Sequence, residues 1–197
     1  MKKLLLLIPL VVLIVGCGSD EEGTVFYPLS VGNEWNYNMS MTRTTPTDTT
    51  VETGSDKLEI TAETTLDNGT AVFEWVLTIT FDDTLVPDII DTSYIEETED
   101  YILQYDAKAD TVPSDTMLAL PLETGKTWAD YEVMGQEDVT VPAGTFNDCW
   151  EVREVDDEFT LYVYWAPDVG AVRLNDNAVD ADTTYEMLME LETYTVQ

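Results

Sequence analysis

The chain has 197 residues, 40 of them Asp or Glu against 8 Lys or Arg, for a net charge of −32, and no histidine. That balance excludes nucleic acid as a partner, since phosphate backbones are held by Lys and Arg, and anionic headgroups are repelled as well. The missing histidine excludes Ser-His-Asp and Cys-His catalysis and every histidine-bearing zinc site.

Lys2 and Lys3 open the chain, Leu4 to Val15 follow without a charge, and Gly16 stands directly before Cys17. A basic start, a short apolar stretch and a small residue at the cut mark a secretory signal. The apolar stretch is too short for a transmembrane helix, which needs about 20 residues. Ile14-Val15-Gly16-Cys17 resembles the lipobox of bacterial lipoproteins. The resemblance implies a signal helix over residues 1–16, cleavage between Gly16 and Cys17, and acyl chains on Cys17 as the link to the membrane. Gly18 in place of Asp points to the outer membrane, on its periplasmic or cell-surface face. Residues 17–23 read as an acidic tether and 24–197 as one antiparallel β domain. With 44% hydrophobic residues the domain can bury a core.

Within the domain, Gly32-Asn33 is a turn signal. Trp35, Tyr37, Met39 and Met41 then alternate with Asn36, Asn38, Ser40 and Thr42, the period of a half-buried strand. Thr44 to Ser55, rich in Thr with Pro46 and Gly54, reads as a loop. Leu58, Ile60 and Ala62 restart the alternation. Asn68-Gly69 predicts a type I′ hairpin. Phe73, Trp75, Leu77, Ile79 and Phe81 share one face beyond it and are expected to be buried at the centre of the core.

Thr92 to Glu96 and Tyr101 to Tyr105 suggest a second hairpin, and Asp106 to Asp115 a polar loop. Leu118 to Leu122, Trp128 to Met134 and the pair Val139 and Val141 follow as short apolar stretches. Phe146 to Val155, Glu158 to Trp165 and Ala171 to Leu174 predict strands. Asn175 to Asp182 reads as an acidic loop before a last strand with Tyr185, Met187, Met189 and Leu191. Many short strands divided by turns predict an all-β domain, a single curved antiparallel sheet, half-barrel or sandwich.

Tyr27-Pro28-Leu29-Ser30-Val31-Gly32-Asn33-Glu34-Trp35-Asn36-Tyr37 resembles the opening "FPLxxGNxWxY" of a group of bacterial lipoproteins. Val139 to Phe146 and Tyr164 to Val172 resemble the later "VPAGTF … WYAPxVGxV" half of the same group, with Tyr-Trp here where Trp-Tyr is common. The cadence is similar to that of the exported family DUF3108 and, distantly, of the lipoprotein carriers LolA and LppX. The resemblance implies a curved LolA-like sheet. The motif residues themselves read as fold determinants: Gly144 and Gly170 at tight reversals, Trp35, Tyr37 and Trp165 as large core groups.

Chemistry-bearing candidates are few. Cys149 has no cysteine partner once Cys17 carries lipid, and reads as a small buried hydrophobe. Asp176, Asp180 and Asp182 with Asn175 and Asn177, and Asp82, Asp83, Asp88 and Asp91, group hard oxygens that calcium accepts, without EF-hand spacing. The leading expectation is a non-enzymatic, lipid-anchored envelope protein that binds or scaffolds. No cofactor, metal or catalytic residue is implied, and no particular protein partner. A carrier of an apolar or lipid ligand is the alternative, marked by an apolar cavity lined by groups such as Phe73, Trp75, Met187 and Met189. A carboxylate-based hydrolase or a calcium-dependent surface adhesin stand behind it.

Overall fold

The computed structural model describes residues 25–83, 85–156 and 159–197. The signal segment, Gly16 and Cys17 lie outside the described residues. Twelve strands follow one another: β1 (Glu34–Thr44), β2 (Thr49–Thr65), β3 (Ala71–Phe81), β4 (Ile89–Glu97), β5 (Tyr101–Tyr105), β6 (Asp115–Ala119), β7 (Thr127–Trp128), β8 (Tyr131–Val141), β9 (Gly144–Val155), β10 (Phe159–Ala166), β11 (Gly170–Asp180) and β12 (Thr183–Thr195). They form a single sheet in the order β6-β5-β4-β3-β2-β1-β12-β11-β10-β9-β8-β7, with every neighbouring pair antiparallel. The expected all-β class and antiparallel pairing therefore hold, and no helix occurs among the described residues.

The sheet curls until its edges meet, leaving a nearly closed barrel. The Trp128 indole of β7 donates to the Thr116 carbonyl of β6 over 2.7 Å. The Tyr131 hydroxyl of β8 donates to Asp115 Oδ2 at the start of β6 over 2.9 Å. Trp128 and Tyr131 stack at 5.3 Å. Below them the Lys126 ammonium donates to the Leu120 carbonyl of the intervening loop. Side chains thus join the two edges of the sheet, as barrels must to avoid open strands.

Because the strands run alternately up and down, their connections fall at two ends. The first end carries the β2–β3, β8–β9 and β10–β11 turns and both termini of the domain. Here the segment before β1 folds across the barrel. Gly32 N donates to the Ile60 carbonyl, and Ile60 N to the Asn33 carbonyl, tying it to β2. Asp168 N donates to the Val25 carbonyl and ties it to the β10–β11 turn. Asn33, fully buried, donates to the Pro28 carbonyl and accepts from Gln197 N, so it locks entry and exit of the chain together. The second end carries the β1–β2, β3–β4, β7–β8 and β11–β12 connections, which bear Asp48, then Asp82, Asp83 and Asp88, then Asp130, then Asp182.

Several expectations need correction. Thr44 to Ser55 is a loop only at 45–48; the rest extends β1 and β2, as β-branched Thr suits a strand that runs out into solvent. Asn175 to Asp180 is strand, not loop, and places Asp176 inward while Asn175 and Asn177 face outward and bond to each other. The grouped oxygens are thereby split between two faces, and no cluster of metal-ligating residues occurs among the described residues. Val139 and Val141 belong to the long β8, which absorbs two bulges. At Asn68-Gly69 only Gly69 takes positive φ, at 93°. With Gly69 N donating to the Leu66 carbonyl, the turn is type I followed by a glycine bulge, not type I′.

Candidate functional site: a hollow barrel interior

Pleating sends alternate residues inward. The inward rows are Trp35, Tyr37 and Met39 on β1, Asp56, Leu58 and Ile60 on β2, and Trp75, Leu77 and Ile79 on β3. Across the barrel lie Val152 on β9, Leu161, Val163 and Trp165 on β10, Leu174 on β11 and Met187 and Met189 on β12. These side chains do not fill the space between them. A cavity of about 340 Å³ remains, walled by Tyr27, Tyr37, Asp56, Trp75, Leu77, Leu161, Leu174 and Met187 among others, and reaching Asp115 and Tyr131 at the seam. Its lining is overwhelmingly apolar and contains no Lys or Arg.

The hollow explains a partial failure of the sequence reading. Trp35 and Tyr37 are buried as expected, at 1% and 4% exposure. Phe73, Trp75, Leu77, Ile79 and Phe81 point inward and pack on the core, yet remain half-buried. Trp75, Leu77 and Ile79 stand beside empty space rather than against opposing side chains. Of the expected cavity markers, Trp75, Met187 and Met189 line the wall, whereas Phe73 does not.

The capped end joins the first and last of the sequence motifs. Trp35 Nε1 donates to the Val169 carbonyl over 2.6 Å, and the Tyr37 hydroxyl to the Ala171 carbonyl over 2.8 Å, each spanning 134 residues of sequence. Gly170 lies under the Trp35 ring with φ of 109°, and a Cβ there would come within 3.3 Å of Trp35 Nε1. Tyr27 enters the barrel as a plug. It stacks on Trp35 at 5.6 Å and meets Trp75 and Trp165 edge-on at 6.0 and 5.6 Å. Motif residues read as fold determinants are so, and Tyr27, Tyr37 and Trp165 also form the floor of the cavity.

Polar groups interrupt the wall, among them the Tyr27 hydroxyl and the Trp75 and Trp165 indole nitrogens, which are buried without partners. Asp56, only 5% exposed, faces inward with Oδ1 lacking a hydrogen-bond partner. Burial pushes its carboxyl up to about 6. The same desolvation holds Tyr27 and Tyr37 well above the ordinary phenol range, with the Asp56 charge adding to the effect at Tyr37. At the seam, Tyr131 is raised by burial and by Asp115 and Glu154, and burial also lifts Glu154. Acids ordinarily sit on the solvated face, so Asp56 and Asp176 are exceptions. The sequence held the signal for Asp56: the Leu58 and Ile60 frame, extended back by two, puts it inward.

Cys149 is fully buried in β9, and burial holds its thiol at about 11, as a small hydrophobe would require.

No family model matches the chain, and no curated protein matches it in sequence. Solved structures do share its shape. A protein described as exported, with a YmcC-like fold, from Bacteroides fragilis superposes with a TM-score of 0.52 at 15% identity, over 88% of this chain and 100% of its own. A protein described as a lipoprotein from Parabacteroides distasonis gives 0.48 at 16% identity, over 87% and 99%. The first likeness extends the barrel fold to a second protein and says nothing of activity.

Proposed function

We propose that this protein is a non-enzymatic envelope lipoprotein that carries an apolar ligand inside its barrel. The observation that supports this reading is the apolar cavity of about 340 Å³. Ligand pockets span about 300–1,000 Å³, lined by hydrophobic and aromatic groups with a few polar ones. At the small end of that range the chamber suits one hydrocarbon chain or ring system rather than a two-chain phospholipid. A binding role without a chamber, the scaffold reading, leaves the hollow unexplained, since interiors are otherwise close-packed.

Export is supported by the signal-like residues 1–16 and by the exported description of the Bacteroides fragilis protein. Acyl chains on Cys17 would hold the domain at the outer membrane, and two or more chains are needed for stable anchoring. The uncharged probe dodecanol tests the carrier reading. Native mass spectrometry of the full chain released from micelles should show one dodecanol retained per protein. Absence of a one-to-one adduct at probe concentrations that saturate known carriers would count against it.

A further inference from the structure

We propose that the chamber selects amphiphiles bearing a protonated amine, with the ammonium held at Asp56 and the hydrocarbon portion against the apolar wall. The inference rests on the carrier reading and names its ligand class.

Asp56 is 5% exposed, in the wall of the chamber, and its Oδ1 has no partner. Its neighbours leave it so. Tyr37, directly opposite on β1, gives its hydroxyl to the Ala171 carbonyl. Ile79, opposite on β3, has nothing to give. A buried carboxylate oxygen without a partner is costly, and buried charges are ordinarily paired. The chamber lining has no Lys or Arg to do this. Its other titratable groups are Tyr27, Tyr37, Asp115 and Tyr131, and the last two are bonded to each other. A cation delivered by the ligand supplies the missing partner.

The aromatic floor agrees with that assignment, and its unpartnered donors, the Tyr27 hydroxyl and the Trp75 and Trp165 indoles, are left for a neutral acceptor on the same ligand. Tyr27, Tyr37, Trp75 and Trp165 surround the floor, and aromatic faces attract ammonium groups. A carboxylate headgroup would bring a second negative charge beside Asp56 in a poorly solvated space, where like charges repel strongly. The approach is biased the same way. The end opposite the plug carries Asp48, Asp82, Asp83, Asp88, Asp130 and Asp182, and the whole chain has a net charge of −32. Such a field concentrates cations near the protein. Burial holds Asp56 near 6, so the carboxyl is ionised at neutral pH and ready for an ammonium.

Three chain-matched probes separate the headgroups: dodecylamine, dodecanol and dodecanoate. The full chain is presented with each in native mass spectrometry near neutral pH, at about 0.15 M salt, where surface charges are screened beyond about 8 Å. Dodecylamine should be retained about tenfold more tightly than dodecanol, and dodecanoate less than either. Asp56→Asn should bring the amine-to-alcohol ratio down to about one. Amine attracted only by the acidic surface would keep its advantage in Asp56→Asn, which overturns the proposal. Dodecanoate retained as well as dodecylamine overturns it too. Retention of dodecanol with no amine preference overturns this inference and leaves the carrier reading intact; retention of no probe overturns both. If Asp56→Asn fails to fold, the wild-type chain still decides. Its amine preference should fall about fivefold between neutral pH and about one pH unit below the Asp56 value, as the carboxyl protonates. A preference that persists there contradicts the assignment.

Discussion

Tyr37 and Asp56 stand directly opposite each other on β1 and β2, both facing the barrel interior, yet the Tyr37 hydroxyl donates to Ala171 across the core instead of to the carboxylate. The tyrosine is thereby committed to closing the capped end. The carboxylate is left in an apolar chamber with a site for something else.

That arrangement has a pH signature. The folded-state value of Asp56 is raised from 3.8 to about 6. A raised carboxylate favours the protonated fold, so its contribution is fully present below about pH 4 and is lost as pH rises to 6. The shift corresponds to about 3 kcal/mol, at about 1.4 kcal/mol per pH unit. Asp56→Asn should therefore gain stability over wild type near neutral pH, by up to that amount, and lose the advantage near pH 4. Urea denaturation at both pH values measures this. Equal stability at neutral pH would mean that the carboxyl is not desolvated.

Gly170 tests the capped end. Its φ of 109° is strained for any L side chain, and a Cβ would crowd Trp35 Nε1. Gly170→Ala should destabilise the domain by about 1–3 kcal/mol and perturb the near-ultraviolet signal of Trp35. A silent substitution would show that the turn adjusts freely.

The seam should depend on few side chains. Trp128→Phe keeps a ring on Tyr131 but removes the bond to the Thr116 carbonyl. A loss of about 1 kcal/mol is expected. Hydrogen exchange should accelerate in β6 and β7 more than in β1 and β12, which sit at the middle of the sheet order. Uniform acceleration would argue against a seam held by side chains.

Much of this fold was legible. Period-two alternation located β1, β3, β9, β10 and β12, and the motif glycines marked turns correctly. What escaped has physical causes. Thr-rich and Asp/Asn-rich strand ends lack an apolar face, so their extension into solvent leaves no period to read. Barrel closure depends on Trp128 and Tyr131 bonding to β6 across the 120–126 connection, a side-chain contact that strand periodicity does not register. The hollow was anticipated only as a condition of the carrier reading. Composition reports how much apolar surface exists, not whether opposing side chains meet. Asp56 escapes the pattern because an acid at the edge of an apolar frame ordinarily marks its end.

Anchoring is tested separately from binding. Cys17→Ser should release an unacylated protein from the membrane fraction, read by fractionation and acyl labelling. Acyl label absent from wild type, with the variant still membrane-bound, would overturn the lipoprotein reading.

The central claim is that an apolar chain occupies the barrel interior. A photoactivatable dodecanol, irradiated with the full chain and mapped by peptide mass spectrometry, tests it most directly. Label should fall on inward residues such as Leu161, Leu174 and Met187, which line the chamber. It should fade in Leu77→Trp, whose larger ring fills the space. Label confined to outward positions such as Val179 or Leu188, or undiminished by Leu77→Trp, would contradict the account.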